Sequence, residues 1–138
     1  MMLRLMMIGI SLCCAGAMAE PLLRTSQSWD GGSFAYPRGE PEITAVILRI
    51  EEDQVPPFHC HPVPTMGYVL KGVAEVETRS GEKVKIRAGD PLVEVMETVH
   101  RGRAIEGPVE IVVFYAGAEG VPVTVLAADD PEYHHCKP

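Results

Sequence analysis

No segment of this chain runs far before a glycine, a proline or a charged turn interrupts it. Twelve prolines and thirteen glycines are spread through 138 residues. Proline lacks the N–H that a helix interior needs, and glycine carries the largest entropy loss on ordering, so long helices are excluded. What lies between the breakers is short and β-branched. Ile43 to Ile50 (ITAVILRI) reads as a strand, and Gly67 to Leu70 leads into Lys71-Gly72 as a turn. Val73 to Thr78 is the next strand; Ser80-Gly81-Glu82 turns the chain into Val84 to Arg87, and Ala88-Gly89-Asp90 turns it into Leu92 to Val95. Val109 to Tyr115 (VEIVVFY) is strongly apolar, and Ile111 to Tyr115 is apolar on both faces, as expected of a two-layer barrel or a strand in a subunit interface. Many short strands at this spacing predict an all-β sandwich or barrel over residues 41 to 126. Residues 20 to 40 read as an N-terminal arm with one short strand around Leu22 to Trp29. Residues 127 to 138 read as a polar tail without a core of its own, with Asp129 and Asp130 in a solvated turn.

The first nineteen residues have a different character. Arg4 lies in a short positive start, Leu5 to Ala15 is apolar but too short to span a bilayer as an ordinary helix, and Ala17-Met18-Ala19 has the A-x-A cleavage pattern. The expectation is a signal peptide cleaved after Ala19 and a periplasmic or secreted product, with no membrane attachment afterwards. Of the 138 residues, cleavage after residue 19 would leave 119, a single domain of ordinary size. It would also remove one of the 12 basic side chains, leaving 11 against 19 acidic ones and a formal charge of −8. Such a balance gives no electrostatic basis for binding nucleic acid or anionic lipid. Cys60 and Cys136 would remain in an oxidising compartment, where a disulfide and a free thiol pair are both open readings.

His59-Cys60-His61 is the first motif with chemistry in it. A strand rises about 3.3 Å per residue and alternates faces, so the two imidazoles sit on one side, about 6 to 7 Å apart at the backbone. Metal–imidazole bonds are about 2.0 to 2.1 Å, a reach that both rings can share. The same alternation turns Cys60 to the back of the strand.

Residues 53 to 104 resemble the two motifs of the cupin superfamily, and the chain is similar to small single-domain members of it. In the first motif His59, His61 and Gly72 match, while Asp53 stands at the first glycine and Thr65 at the glutamate. The stretch HCHPVPTMGYVLKG, residues 59 to 72, otherwise follows the pattern of small exported-type cupins. In the second motif Gly89 and His100 match, whereas Val95, Glu97 and Ala104 replace the proline, glycine and asparagine. EVMETVHRGRA, residues 94 to 104, and VFYAGAEGVP, residues 113 to 122, resemble the same subgroup. The resemblance implies a double-stranded β-helix, or jelly-roll, barrel and often a homodimer. It also implies that His59, His61 and His100 point together into the barrel mouth.

Three histidines without the motif glutamate leave several readings. They can hold one divalent transition metal (Fe, Zn, Ni, Mn or Cu) with positions open for water or substrate. Glu94 is the candidate fourth ligand, since alternation puts it on the face of His100 unless a turn at 95 to 97 intervenes. Glu94 and Glu97 are the candidate catalytic acid or base, and the site can also be metal-free. Arg101 and Arg103 read as a solvated rim, with a substrate clamp as the alternative. Met66 and Tyr68 read as core or pocket lining. His134 and His135 lie on the tail, where a specific site lacks a scaffold. Functionally, a metal-dependent oxygenase- or isomerase-like enzyme on a small organic substrate stands beside a non-catalytic module that binds a small molecule or metal, and beside a plain scaffold.

Overall fold

The structure, a computed structural model, describes residues 18–137. The proposed export segment therefore lies outside the described residues, apart from Met18 and Ala19. Seven strands follow in order: β1 (Pro41–Ile50), β2 (His59–Cys60), β3 (Thr65–Thr78), β4 (Lys83–Arg87), β5 (Pro91–Val93), β6 (His100–Ala118) and β7 (Val125–Leu126). The expected all-β architecture is the one observed, and every pairing between named strands is antiparallel.

Two long strands organise the rest. β6 and β3 pair from Thr65↔Tyr115 to Thr78↔His100. The outer side of β3 carries β5 at one end and β4 at the other. The outer side of β6 is divided likewise: β1 covers Val109 to Ala118, while β2, itself paired with β7, meets β6 at His100. A single flat sheet could not bury both ends on one core, so the long pair has to bend. It does so where the β3–β6 register shifts between Val69 and Ala74. Gly72 (φ 78°) sits in this irregularity and Gly107 (φ 67°) faces it from β6. At Gly72 a Cβ would lie 2.5 Å from the Pro108 carbonyl oxygen, so close approach as well as φ demands glycine.

Two sequence expectations are corrected here. Lys71-Gly72 is a bulge within one 14-residue strand rather than a turn between two strands, because β6 continues alongside and pairs with β3 on both sides of the register shifts. The final apolar strand begins nine residues earlier than its hydrophobic run, at His100, since β3 supplies partners for the polar residues too.

The core is built of small aliphatics: Ile50, Val69, Val76, Ile86, Val109 and Ile111 are buried in one cluster, with Trp29 and Tyr115 packed against it. On the outer face, Glu75 and Glu77 of β3 lie between Lys83 of β4 and Arg103 and Arg101 of β6. Their carboxyls are held below the usual range by hydrogen bonds from these cations, those from Arg103 and Lys83 respectively being the strongest. Arg101 also lies over the Phe58 ring, 4.4 Å from its centroid.

The arm contains no strand at Leu22 to Trp29. It is irregular, with one bridge between Gln27 and Ser33 closing a turn around Asp30. In the tail, the disulfide is the one of the two open readings that the structure contains, while Asp130 departs from expectation. Cys136 is fully buried and bonded to Cys60, with Cα atoms 5.5 Å apart, and the pair packs with Val99 and Phe58 in a second apolar cluster. Asp130, expected in solvent, is buried and accepts hydrogen bonds of 2.8 Å from the N–H groups of His134, His135 and Cys136. Burial opposes its charge, but those three donors outweigh it and hold its carboxyl below the ordinary value. Replacing Gly72 by alanine is expected to lower the unfolding free energy by about 1 to 3 kcal/mol, measured by urea denaturation, with Gly81→Ala, whose Cβ would meet nothing within 4 Å, costing less.

Candidate metal centre

His59 on β2 and His100 at the start of β6 are direct cross-strand partners, so their rings stand side by side by register. His61, two residues on, returns to the same face and is anchored by a bridge to Met96. The three ring centroids lie 4.6 to 5.0 Å apart. One nitrogen from each ring falls within 4.8 Å of the others, so the three are placed where they could hold a metal ion.

The backbone fixes which nitrogens face inward. His59 Nδ1 lies 3.0 Å from the Pro57 carbonyl oxygen, His61 Nδ1 2.8 Å from that of Val123, and His100 Nδ1 2.8 Å from that of Thr98. A carbonyl can only accept, so each Nδ1 carries the proton and each Nε2 keeps its lone pair when the ring is neutral. His100 Nε2 is buried with no hydrogen-bond partner. A buried polar atom left bare is costly, and three convergent lone pairs held by carbonyls are the donor set of a metal centre. The residues present therefore fit a divalent transition ion.

Electrostatics support the neutral forms. Burial, then the neighbouring His100, lowers the His59 pKa to about 4, against a weaker opposing effect from the Pro57 carbonyl. His61 is pushed well below its ordinary value by burial, with His100 and His59 adding to the effect.

The histidines open onto a cavity of about 260 Å³ whose walls are largely aliphatic, including Leu48, Ile50, Val76, Leu92 and Ile111. Its other polar groups come from Glu94, Thr65, Thr124 and Tyr115. Thr65, at the position of the missing glutamate, is buried and its Oγ1 donates to the Val63 carbonyl at 3.0 Å. Glu94 does face the cavity: its Oε2 is 3.8 Å from His100 Nε2 and accepts a 3.1 Å hydrogen bond from Trp29 Nε1. It stands beside the three-histidine group rather than within it. Glu97 is placed elsewhere. In a left-handed turn (φ 61°), it pairs with Lys137 and does not line the cavity. Arg101 and Arg103 are likewise engaged on the outer face and line no part of it. The contact of Trp29 with Glu94 was not legible in the sequence: sixty-five residues separate the two, and packing of Trp29 on the core together with a hydrogen bond from its N–H to the Val93 carbonyl brings them together.

A depressed histidine pKa means that the unfolded chain takes up protons before the folded one does. Stability of the metal-free protein should therefore be level above about pH 6.5 and fall as pH drops toward 4, by about 1.4 kcal/mol per pH unit for each such histidine. Urea midpoints measured across this range should show that slope. His61→Gln should remove about half of it, and an equal slope in the variant would show that other groups cause it.

Residues 46–115 match the Cupin domain family. Among solved structures, a conserved protein with a double-stranded β-helix domain from Klebsiella pneumoniae superimposes with a TM-score of 0.52 at 21% identity, covering 67% of this chain and 89% of that one. A cupin-like protein from Thermotoga maritima gives 0.53 at 14% identity over 61% of this chain and 63% of the other. The oxalate decarboxylase of Bacillus subtilis gives 0.53 at 17% identity, covering 61% of this chain but only 23% of that protein. At these identities the likeness is one of fold. No curated protein matches the chain. With the family matched over half its length and the double-stranded β-helix fold shared with these structures, the chain belongs to the cupin family.

Proposed function

We propose that this protein is an exported cupin enzyme that holds one divalent transition metal through His59, His61 and His100 and acts on a small organic molecule in an oxygenase- or isomerase-like reaction. The observation that carries the reading is the orientation of the three rings: each Nδ1 faces a carbonyl, and the Nε2 of His100 is buried without a partner. Export is supported by the buried disulfide, which belongs to an oxidising compartment.

The metal when bound would supply Lewis acidity or redox chemistry at an oxygen-bearing substrate. The chain supplies the rest. Ile50, Val76 and Ile111 line an apolar wall that would strengthen local electrostatics, and a volume of about 260 Å³ limits the substrate to a small molecule. Glu94 is the acid or base, receiving or returning a proton at Oε1 while Trp29 holds Oε2. Glu97, turned outward to Lys137, has no part in this. Among the described lining residues no Lys or Arg appears, so a substrate anion would have no side-chain cation to pair with. This favours a neutral or singly charged substrate bound largely through the metal. The oxalate decarboxylase of Bacillus subtilis, which has Mn(II) centres, offers a precedent for manganese in this fold.

A second copy of this chain is the proposed partner. Ile43 and Ile47 of β1 and Phe114 of β6 project from the same outer face at 66%, 44% and 44% exposure, next to Met66 of β3. Such a contiguous apolar face suits a two-fold contact. Sedimentation should give a dimer, and Ile47→Glu should give a monomer with its fold intact; a monomeric wild type would remove this part of the proposal.

Elemental analysis of the untagged protein tests the metal and the chemistry together with an oxygen electrode. About one metal per chain is expected, lost in His59→Ala and His100→Ala but retained in Glu94→Gln. Over a panel of thiols, diketones and phenolic acids, wild type should turn over one class and Glu94→Gln should lose about 100-fold or more. Metal content unchanged in both histidine variants would contradict the centre. Metal bound without any turnover would favour the non-catalytic binding module.

A further inference from the structure

Cys60 lies between two of the three histidines in sequence, and its bond to Cys136 joins the back of that segment to the tail. Both cysteines are fully buried. The tail does not stop there. Lys137, the next residue, bridges to Thr98, and its carbonyl accepts from the Val99 N–H at 3.0 Å, immediately before His100. One short segment is thus fastened to both pieces of chain that carry the histidines, on the side away from the cavity. Its own shape is set by Asp130, whose carboxylate gathers the N–H groups of His134, His135 and Cys136. β2 itself has few ladder pairs, and its flanks are held by hydrogen bonds from Glu97 N–H to the His61 carbonyl and from Ala127 N–H to the Phe58 carbonyl. The strand is two residues long, with a single residue pair to β6 and two to β7.

From this geometry we infer that the Cys60–Cys136 disulfide is a positioning element of the histidine centre, so that the protein's affinity for its metal depends on the redox state of this bond. The inference rests on the metal reading of His59, His61 and His100. Reduction by a dithiol transfers two electrons and two protons to the bond: the S–S bond breaks, Cys60 and Cys136 become thiols, and the dithiol leaves as its own disulfide. The barrel core around Val69, Val76 and Ile111 is separate from the cysteine cluster and stays packed. What loosens is the tail. With it go the tether behind Cys60 and the pairing at Thr98 and Val99, and the three Nε2 atoms lose their common orientation. By linkage the converse holds: metal holding the histidines together makes the disulfide harder to reduce.

Cobalt(II) titration, followed by its visible absorption, tests this on the oxidised protein, on protein reduced with a phosphine and freed of the reductant, and on the same sample reoxidised. The reduced form should bind cobalt about 10-fold or more weakly, the loss expected when a support behind metal ligands is removed, and reoxidation should restore it. Cys60→Ala/Cys136→Ala should behave as the reduced form in either condition. Hydrogen exchange on the metal-free protein should quicken on reduction at residues 59 to 61 and 98 to 100 and stay slow in β3. Equal affinity in the two redox states would overturn the inference while leaving the metal centre standing. An oxidised protein that binds no cobalt would instead remove the metal centre itself and the inference with it. A near-UV spectrum that collapses on reduction would overturn it in favour of a purely global stabilising bond.

Discussion

The pairing of His59 with His100 across β2 and β6 is the constraint on which the rest of the centre depends. Register in a ladder is discrete, and a slip of one residue reverses every side chain. With His59 opposite His100, the alternation of β2 returns His61 to the same face and sends Cys60 to the back, where Cys136 meets it. A slip by one would aim a cysteine at the cavity and bury two imidazoles among Val99 and Phe58. Three devices oppose that slip. β7 pairs with both residues of β2, the disulfide fixes Cys60 behind it, and the carbonyls of Pro57, Val123 and Thr98 hold the rings.

The two faces of this protein solve their polar problems differently. Outside, Glu75 and Glu77 are surrounded by Lys83, Arg101 and Arg103, so charge is neutralised by charge in a cross-strand ladder. Inside, His59 and His61 favour the neutral form because burial disfavours their cations and the neighbouring His100 adds to the effect. Among the described residues Glu94 is the one carboxylate lining the cavity, steadied by an indole N–H rather than by a cation. Such a partner orients the group without cancelling its charge.

Much of this was legible in the sequence, and the reasons for the exceptions are physical. His59 and His61 declared themselves through strand periodicity, a local rule that needs no tertiary knowledge. His100 could be joined to them only through the family resemblance, because thirty-nine residues of loop and strand separate it from His61. Glu94 and Glu97 are both candidate acids or bases in the sequence, with Glu94 alone also a candidate ligand by strand parity. They part company because Glu97 takes a left-handed backbone (φ 61°) and turns out to Lys137. Gly72 reads as a turn wherever the neighbouring strand is unknown, since a bulge and a turn ask for the same residue. Asp130 reads as solvated because nothing local announces three N–H donors four to six residues ahead.

Geometry and ring orientation support one proposal: His59, His61 and His100 would hold a single metal, each through Nε2. X-ray absorption at the metal edge of the loaded, untagged protein tests it most directly. The account predicts about three imidazole nitrogens at about 2.0 to 2.1 Å with the outer-shell scattering of the rings, reduced in His100→Ala. A first shell of sulfur, or of oxygen without imidazole scattering, would contradict it.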